Sequence, residues 1–252
     1  MTSSNRLPLS LANAFSRGCA LKIISGIQNF DAQNVQMVVR AAELGGATFV
    51  DIAADATLIA LAKANSSLPV CVSAVEPAQL LAAVEHGADL VEIGNYDRFY
   101  AQGKTFSAAE VLEITRQTRA LLPNTALSVT VPHTLPLDQQ VALAEQLVAI
   151  GADIIQTEGS TSAAPTHSGV LGLIEKAAPT LAAAHAISRA VDVPVLCASG
   201  LTDVTAPMAI AAGAAGVGVG SAVNQLTDMV AMIAVVRSLR EALAANAAKV
   251  AS

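Results

Sequence analysis

The sequence contains no tryptophan, and aromatic residues make up only 3% of its 252 positions. Proteins that bind sugars or nucleic acids by stacking depend on aromatic side chains, so this shortage argues against both classes. Basic residues are also few, 14 against 20 acidic ones, and the formal charge is −6. Such a balance offers no cationic surface to a phosphate backbone or an anionic membrane. The composition therefore predicts neither a nucleic acid nor a membrane partner.

Cysteine is scarce as well, with Cys19, Cys71 and Cys197 widely spaced along the chain. An odd number of separated cysteines favours reduced thiols in a reducing compartment. No CxxC and no histidine-rich spacing accompanies them, so no metal site is predicted. The uncharged stretch from Val204 to Thr227 contains Pro207 and several glycines. It therefore divides better into a short helix and a strand than into one membrane-spanning helix.

Internal repeats indicate the architecture. Four times a helical pattern ends at a glycine and passes directly into a β-branched run, at Gly46, Gly87, Gly151 and Gly213. Each glycine suits a helix C-cap. Further strands, often preceded by proline, lie between these units, and with Leu21–Ser25 the count reaches eight. Eight strands alternating with helices over this length predict an α/β fold, a single (β/α)8 TIM barrel, with an open doubly wound sheet as the alternative.

The chain carries no composition shift or linker, so one domain over residues 1–252 is predicted. The first 20 residues contain no acidic side chain and several serines and arginines, a weak match to a transit peptide. We favour a short helix, Leu9–Ser16, lying under the barrel as a structural N-terminal extension.

The repeats also set the orientation of side chains on the even-numbered strands. Hydrophobic columns such as Val50, Val91, Ile155 and Val217 suit the contact with outer helices, so residues of opposite parity point into the barrel. The inward residues are mostly polar or small, in two successive layers: Asp51, Glu92, Gln156 and Gly218, then Ala53, Gly94, Glu158 and Gly220. Barrel interiors are normally filled by bulky apolar residues. This departure predicts a chemical role for the interior.

The end of the chain predicts a phosphate site. Strand seven is followed by Ala198-Ser199-Gly200-Leu201, and strand eight runs through Gly216–Ala222. In barrels, the loops after strands seven and eight often bind phosphate through backbone N–H groups. Alternatively, the glycines only permit close strand–helix packing. The candidate ligand-binding residues are Ser199, Gly200, Leu201, Gly218, Gly220 and Ser221.

A second set of candidates is catalytic. Lys22 on the first strand faces Asp51 and Glu92, and these groups suit proton transfer, anion binding or a Schiff base. Equally, one buried lysine balanced by two carboxylates forms a neutralised structural network. His133 and Glu158 follow strands five and six, at the predicted mouth, where a general acid–base residue would lie. A divalent metal on Asp51, Glu92 and Glu158 has no spacing motif to support it.

Two loops extend the prediction. The fourth, Asn95–Ser107, holds four of the chain's seven aromatic residues and indicates a wall over the mouth or a subunit contact, in a homodimer. The sixth loop, Gly159–Gly169, consists mainly of small and polar residues and has a glycine at each end. This composition suits a mobile lid or a plain surface loop.

These segments resemble an uncharacterised family, the proteins of hypothetical chloroplast open reading frame twenty-three and their cyanobacterial relatives. The resemblance covers most of the chain from Leu21 onward and implies a TIM-type barrel, with a cytoplasmic location in a cyanobacterium or a location in the plastid stroma. It brings no accepted activity. The matching segments are Lys22–Gly26, Asn29–Asp31, Gly45–Asp55, Val91–Asn95, Val131–Leu135, Ile155–Gly159 and Gly216–Ala222.

The last two strands are also distantly similar to phosphate-binding barrels, including thiazole synthase, the histidine-pathway isomerases and flavin-dependent barrels. Many flavin-binding barrels carry a Gly-Gly pair where this chain has Ser199-Gly200. Flavin mononucleotide is therefore disfavoured as a cofactor. The leading hypothesis is an enzyme, a lyase or isomerase, acting on a phosphorylated small molecule. The alternatives are a non-catalytic sensor or regulatory subunit for such a molecule and a flavin-binding protein.

Overall fold

The computed structural model describes residues 6–159 and 163–250, with side chains described as far as residue 245. Within this part of the chain, eight parallel strands close into a barrel in sequence order, with β8 paired to β1. The predicted (β/α)8 fold is confirmed. The strands are β1 (Ala20–Ile24), β2 (Phe49–Ala53), β3 (Val70–Ala74), β4 (Leu90–Ile93), β5 (Ala126–Thr130), β6 (Ile154–Gln156), β7 (Val195–Ala198) and β8 (Gly216–Val219).

Helices connect the strands and form the outer layer. They are α1 (Leu9–Ser16), α2 (Ala32–Gly45), α3 (Ala56–Asn65), α4 (Pro77–Glu85), α5 (Asp97–Tyr100), α6 (Ala108–Leu121), α7 (Leu137–Ile150), α8 (Gly169–Ile187), α9 (Ala206–Ala211), α10 (Ser221–Asn224) and α11 (Met229–Val250). Local sequence signals fix several of their ends. Asp31 accepts hydrogen bonds from two backbone N–H groups at the start of α2, and Ser107 and Glu110 form a capping box on α6. Gly46 and Gly151 adopt left-handed backbone angles after α2 and α7, as the repeats predict.

The buried hydrophobic residues form one cluster outside the barrel of strands and one inside it. The larger lies between the sheet and the outer helices. The smaller fills the bottom of the barrel, where inward residues such as Phe49, Leu90 and Leu196 meet Leu11 and Phe15 of α1. The predicted helix Leu9–Ser16 is therefore present and closes the N-terminal end of the barrel. Residues 1–5 of the N-terminal extension lie outside the described residues.

The structure differs from the sequence prediction at several helices. The sixth connecting helix, α8, begins at Gly169, although Pro179 was expected at its start. Pro179 lies inside the helix, and Gly159 packs against it so closely that a Cβ on Gly159 would stand 2.9 Å from the proline Cβ. The fourth loop contains the unpredicted short helix α5. The lid prediction includes residues 160–162, which lie outside the described residues, and the single-domain boundary 1–252 stays a prediction.

The stretch from Val204 to Thr227 contains the expected short helix and strand, α9 and β8, and a further short helix, α10, that was not predicted. Among the described residues, one helix, α8, is long and apolar enough to cross a membrane by length and composition. It packs against α7 and β7 in the outer layer of the barrel.

Candidate functional site

A charged network crosses the middle of the barrel. Lys22 Nζ lies 2.7 Å from Glu92 Oε2, 3.0 Å from Gln156 Oε1 and 3.6 Å from Asp51 Oδ2. All three ionisable side chains are completely buried. Ser73 donates to Asp51 at 2.6 Å, and Ser128 and Gln156 each donate to Glu92 at 2.7 Å. The inward orientation inferred from the repeats places these residues together, although they are far apart in sequence.

One buried lysine faces two buried carboxylates in this network. Burial alone would lower the pKa of Lys22, but attraction to Asp51 and Glu92 outweighs it, so the pKa lies above the usual lysine value. Burial raises the pKa of Asp51 to about 6, against the opposing attraction of Lys22. A lysine with a raised pKa keeps its proton and is a poor nucleophile, which argues against a Schiff base at Lys22.

A cavity of about 490 Å³ lies directly above this network, at the C-terminal ends of the strands. Gln156 lines its floor and also bonds Lys22 and Glu92 beneath. The cavity lining, as far as the structure describes it, does not include Lys22, Asp51 or Glu92. Asn95 joins the two levels: it lines the cavity, and its side-chain amide donates to Asp51 Oδ2 at 3.1 Å. The charged network therefore supports the cavity from below.

The two predicted phosphate turns form one side of the cavity, and all six candidate ligand-binding residues line it: Ser199, Gly200, Leu201, Gly218, Gly220 and Ser221. Ser199 and Gly200 have φ angles of +82° and +73°, which opens a sharp turn after β7. Within the described residues, the backbone N–H groups of Gly200, Leu201 and Gly220 donate to no protein acceptor. Amides arranged in this way are suited to an anion.

The glycine at 218 has a packing role as well. A Cβ there would stand 2.9 Å from Ala198 Cβ and 3.2 Å from Ile24 Cδ1. At Gly220 the nearest atom to an added Cβ is Ile24 O, at 3.4 Å, an ordinary contact. Close packing therefore explains Gly218 without a ligand but does not explain Gly220.

Next to the phosphate turns, the cavity carries an acidic cluster from three consecutive strand ends. Tyr100 Oη donates to Glu158 Oε1 at 2.6 Å, and the His133 backbone N–H donates to the same oxygen at 3.2 Å. His133 Nε2 lies 3.5 Å from Asp97 Oδ1, and the Tyr100 and His133 rings are in edge contact. Ser199 Oγ donates to Asp97 Oδ2 at 3.2 Å, which connects this cluster to the phosphate turn.

The carboxyl group of Glu158 has a strongly perturbed pKa. Its burial and the nearby Asp97 raise its pKa to about 8, so the group keeps a proton near neutral pH. The pKa of His133 is also raised: burial opposes the rise, but the hydrogen bond with Asp97 and the charge of Glu158 dominate. A protonated carboxyl beside a ligand-sized cavity is suited to general acid catalysis.

We expect Glu158→Gln to remove a pH dependence of stability. The unfolded chain releases this proton near pH 4.5 but the folded chain holds it to about pH 8, so wild-type stability falls as pH rises through this window. The contribution of this group to the free energy of unfolding falls by at most about 1.4 kcal/mol per pH unit. Urea unfolding of both proteins at pH 5 and pH 8, in buffer without divalent cations, measures the difference. Equal pH dependence of the two proteins would contradict the assignment.

Sequence reasoning placed Glu158 and His133 at the mouth and Tyr100 in the aromatic loop above it, but it gave no role to Arg98 or Asn224. Arg98 is an exposed cation in the cavity lining. Asn224 donates to Ile24 O at 2.6 Å, and its buried Oδ1 accepts no hydrogen bond among the described residues. The available signal was position, because Asp97, Arg98 and Tyr100 follow β4 at the face where barrels bind ligands.

Solved structures with the same fold share the barrel over most of both chains. One is (S)-3-O-geranylgeranylglyceryl phosphate synthase from Thermoplasma acidophilum in complex with sn-glycerol-1-phosphate, with a TM-score of 0.65, 14% identity and coverage of 94% of this chain and 98% of that one. Another is 3-hexulose-6-phosphate synthase, with a TM-score of 0.62, 18% identity and coverage of 88% and 99%. At these identities the likeness establishes the fold alone.

Sequence relatives are much closer. The protein named "Uncharacterized protein ycf23" from Cyanophora paradoxa is 42% identical over 218 residues, covering 84% of this chain and 88% of the relative. The protein of the same name from Porphyra purpurea is 37% identical over 246 residues, covering 98% and 91%. The resemblance inferred from the motifs is thus confirmed. The family described as "Protein of unknown function (DUF561)" matches residues 4–249, and the chain belongs to this family.

Proposed function

We propose that the cavity at the C-terminal mouth binds a phosphorylated small molecule and that the protein acts on it as a lyase or isomerase. One observation carries the proposal: one cavity of about 490 Å³ is lined both by two turns whose backbone N–H groups have no acceptor among the described residues and by a buried carboxyl group, Glu158. The volume falls within the range of about 300–1,000 Å³ usual for small-molecule sites.

The proposed role of each residue follows from its position in the cavity. The amides of Gly200, Leu201 and Gly220 bind the phosphate oxygens, and the exposed Arg98 adds positive charge at the rim. The 3.2 Å bond from Ser199 to Asp97 keeps the phosphate end and the carboxyl end adjacent, as a small substrate requires. Glu158, with its raised pKa, exchanges a proton with the reacting carbon or oxygen. Lys22, Asp51 and Glu92 hold the floor through Gln156 and supply a fixed local field.

The names of structurally similar proteins support the substrate class. They include a phosphate synthase in complex with sn-glycerol-1-phosphate, 3-hexulose-6-phosphate synthase and a thiamine phosphate pyrophosphorylase from Pyrococcus furiosus. Since one fold hosts many chemistries, the site residues and not the fold carry the proposal for this chain. We also propose a homodimer located in cyanobacterial cytoplasm or plastid stroma.

A non-catalytic sensor is the second candidate, because phosphate turns alone suffice for binding. Glu158→Gln separates the two functions. An enzyme loses turnover by about 100-fold or more while still binding its ligand, because the amide cannot release a proton. In a sensor the same substitution changes affinity only slightly. A flavin protein is the third candidate, and visible absorbance of the purified protein would reveal it.

Native mass spectrometry of protein purified from its own host tests the substrate class. Intact and denatured spectra are compared for a released small molecule. A phosphate ester supports the proposal and identifies the substrate. A released flavin favours the third candidate, and a ligand without phosphate contradicts the proposal.

A further inference from the structure

The side chains of Asp97, His133 and Glu158 converge at one point above the barrel. Each offers one ligand atom, and these atoms all lie within 4.8 Å of one another. They come from the ends of β4, β5 and β6, far apart in sequence. No local spacing motif joins them, which is why the sequence predicts no metal site.

Hydrogen bonds within the described residues fix the orientation of both carboxylates. Tyr100 and the His133 amide occupy Oε1 of Glu158, and Oε2 accepts no hydrogen bond among the described residues although it is buried. The Glu158 side chain is only 5% exposed. In Asp97, Oδ2 accepts from Ser199 while Oδ1 faces His133 Nε2 at 3.5 Å. A buried carboxylate oxygen without a partner costs folding energy unless something binds it.

We propose that Asp97, His133 and Glu158 form a binding site for a divalent transition-metal cation. One imidazole nitrogen and two carboxylate oxygens are a donor set that Mn²⁺ and Zn²⁺ accept, with the remaining coordination positions left to water or a ligand. The bonds from Tyr100 and Ser199 serve as the outer contacts that orient metal ligands. The uncoordinated side faces the cavity, because Asp97 and Glu158 both line it.

This inference goes beyond the proposed function: with the cation bound, Glu158 is a deprotonated ligand, and the cation, as a Lewis acid, takes the place of the Glu158 proton at the carboxyl end of the same cavity. An oxygen of a bound molecule would reach the cation in place of water. The binding test uses the metal ion alone, so its result does not depend on whether the phosphate turns bind a phosphate ester.

The experiment titrates Mn²⁺ into the full-length protein after treatment with a chelator, followed by electron paramagnetic resonance of free Mn²⁺ and by calorimetry. We expect one equivalent to bind, and Zn²⁺ to compete for it. Glu158→Gln and Asp97→Asn each remove one ligand charge at nearly constant size. Each should weaken Mn²⁺ binding by about 100-fold or more, since even outer contacts of metal sites contribute about 10–100-fold.

Glu76→Gln is the matched control, because Glu76 is an exposed glutamate that follows β3 on the same face of the barrel. It should change the affinity by less than about twofold, because exposed charges are screened by salt. Thermal denaturation verifies that each variant is folded, and Asp97→Asn carries the test if Glu158→Gln does not fold. Absence of Mn²⁺ and Zn²⁺ binding at millimolar concentration, or equal binding by wild type and a folded ligand variant, would overturn the proposal.

Discussion

Lys22→Met is expected to lower the free energy of unfolding by about 3–5 kcal/mol, the cost usual for breaking a buried ion pair by removing one partner. Lys22 is the cation that faces both Asp51 and Glu92 inside the barrel, and all three side chains are completely buried. Methionine fills a similar volume but donates no hydrogen bond. The substitution therefore leaves two carboxylates and the Gln156 oxygen without their cation.

Lys63→Met provides the comparison, since Lys63 pairs with Asp89 on the surface, where the two side chains are 39% and 33% exposed. Solvent screening limits such a pair to about 0–1 kcal/mol. Urea denaturation of both variants and wild type measures the difference in one series. Similar small losses in the two variants would mean that the buried network does not depend on the charge of Lys22.

Ser221→Asp is expected to weaken binding of a phosphate ester by about 100-fold, from the repulsion of two negative charges a few ångströms apart at a partly solvated site. Ser221 is exposed, lines the cavity and begins α10. An acidic residue in the first turn of a helix is compatible with folding. The loss should therefore appear in binding and not in stability.

Ser221→Asn separates charge from shape, because asparagine has the size of aspartate without its charge. We expect it to retain affinity within about fivefold of wild type, as loss of one neutral hydrogen bond costs about 1 kcal/mol. Calorimetric titration of the ester identified by mass spectrometry compares the three proteins. Equal binding by the aspartate and asparagine variants would place the phosphate elsewhere.

The fold follows from the sequence because its repeats are local. Glycines such as Gly46 and Gly151 end helices by their left-handed backbone angles, and the β-branched runs after them have the period of strands. The same alternation predicts which side chains point inward, so Lys22, Glu92 and Gln156 were expected in one interior and are hydrogen-bonded there.

Depth along the barrel axis was harder to predict. The alternation of residues gives the direction of a side chain, but the position at which a strand ends is uncertain by a residue or more. The sequence therefore does not fix the depth of Lys22 in the barrel, and Lys22 was expected to contact the substrate. Its side chain does not line the cavity but bonds Gln156, which does, and its strand neighbour Gly218 lines the cavity as well. The cluster of Asp97, His133 and Glu158 could not be derived from spacing, because it depends on how three separate loops fold toward one another.

The start of α8 was missed because proline usually begins a helix, whereas Pro179 lies inside this one.

The central claim is that the mouth of this barrel binds a phosphorylated small molecule, and a thermal denaturation screen tests it most directly. Wild type and Ser221→Asp are melted with a panel of phosphate esters and with their unphosphorylated parent compounds. We expect at least one ester to raise the Tm of wild type by about 5–10 °C at a hundredfold excess over Kd, with no shift from its parent compound and none in the variant. No shift with any ester, or equal shifts in wild type and Ser221→Asp, would contradict the claim.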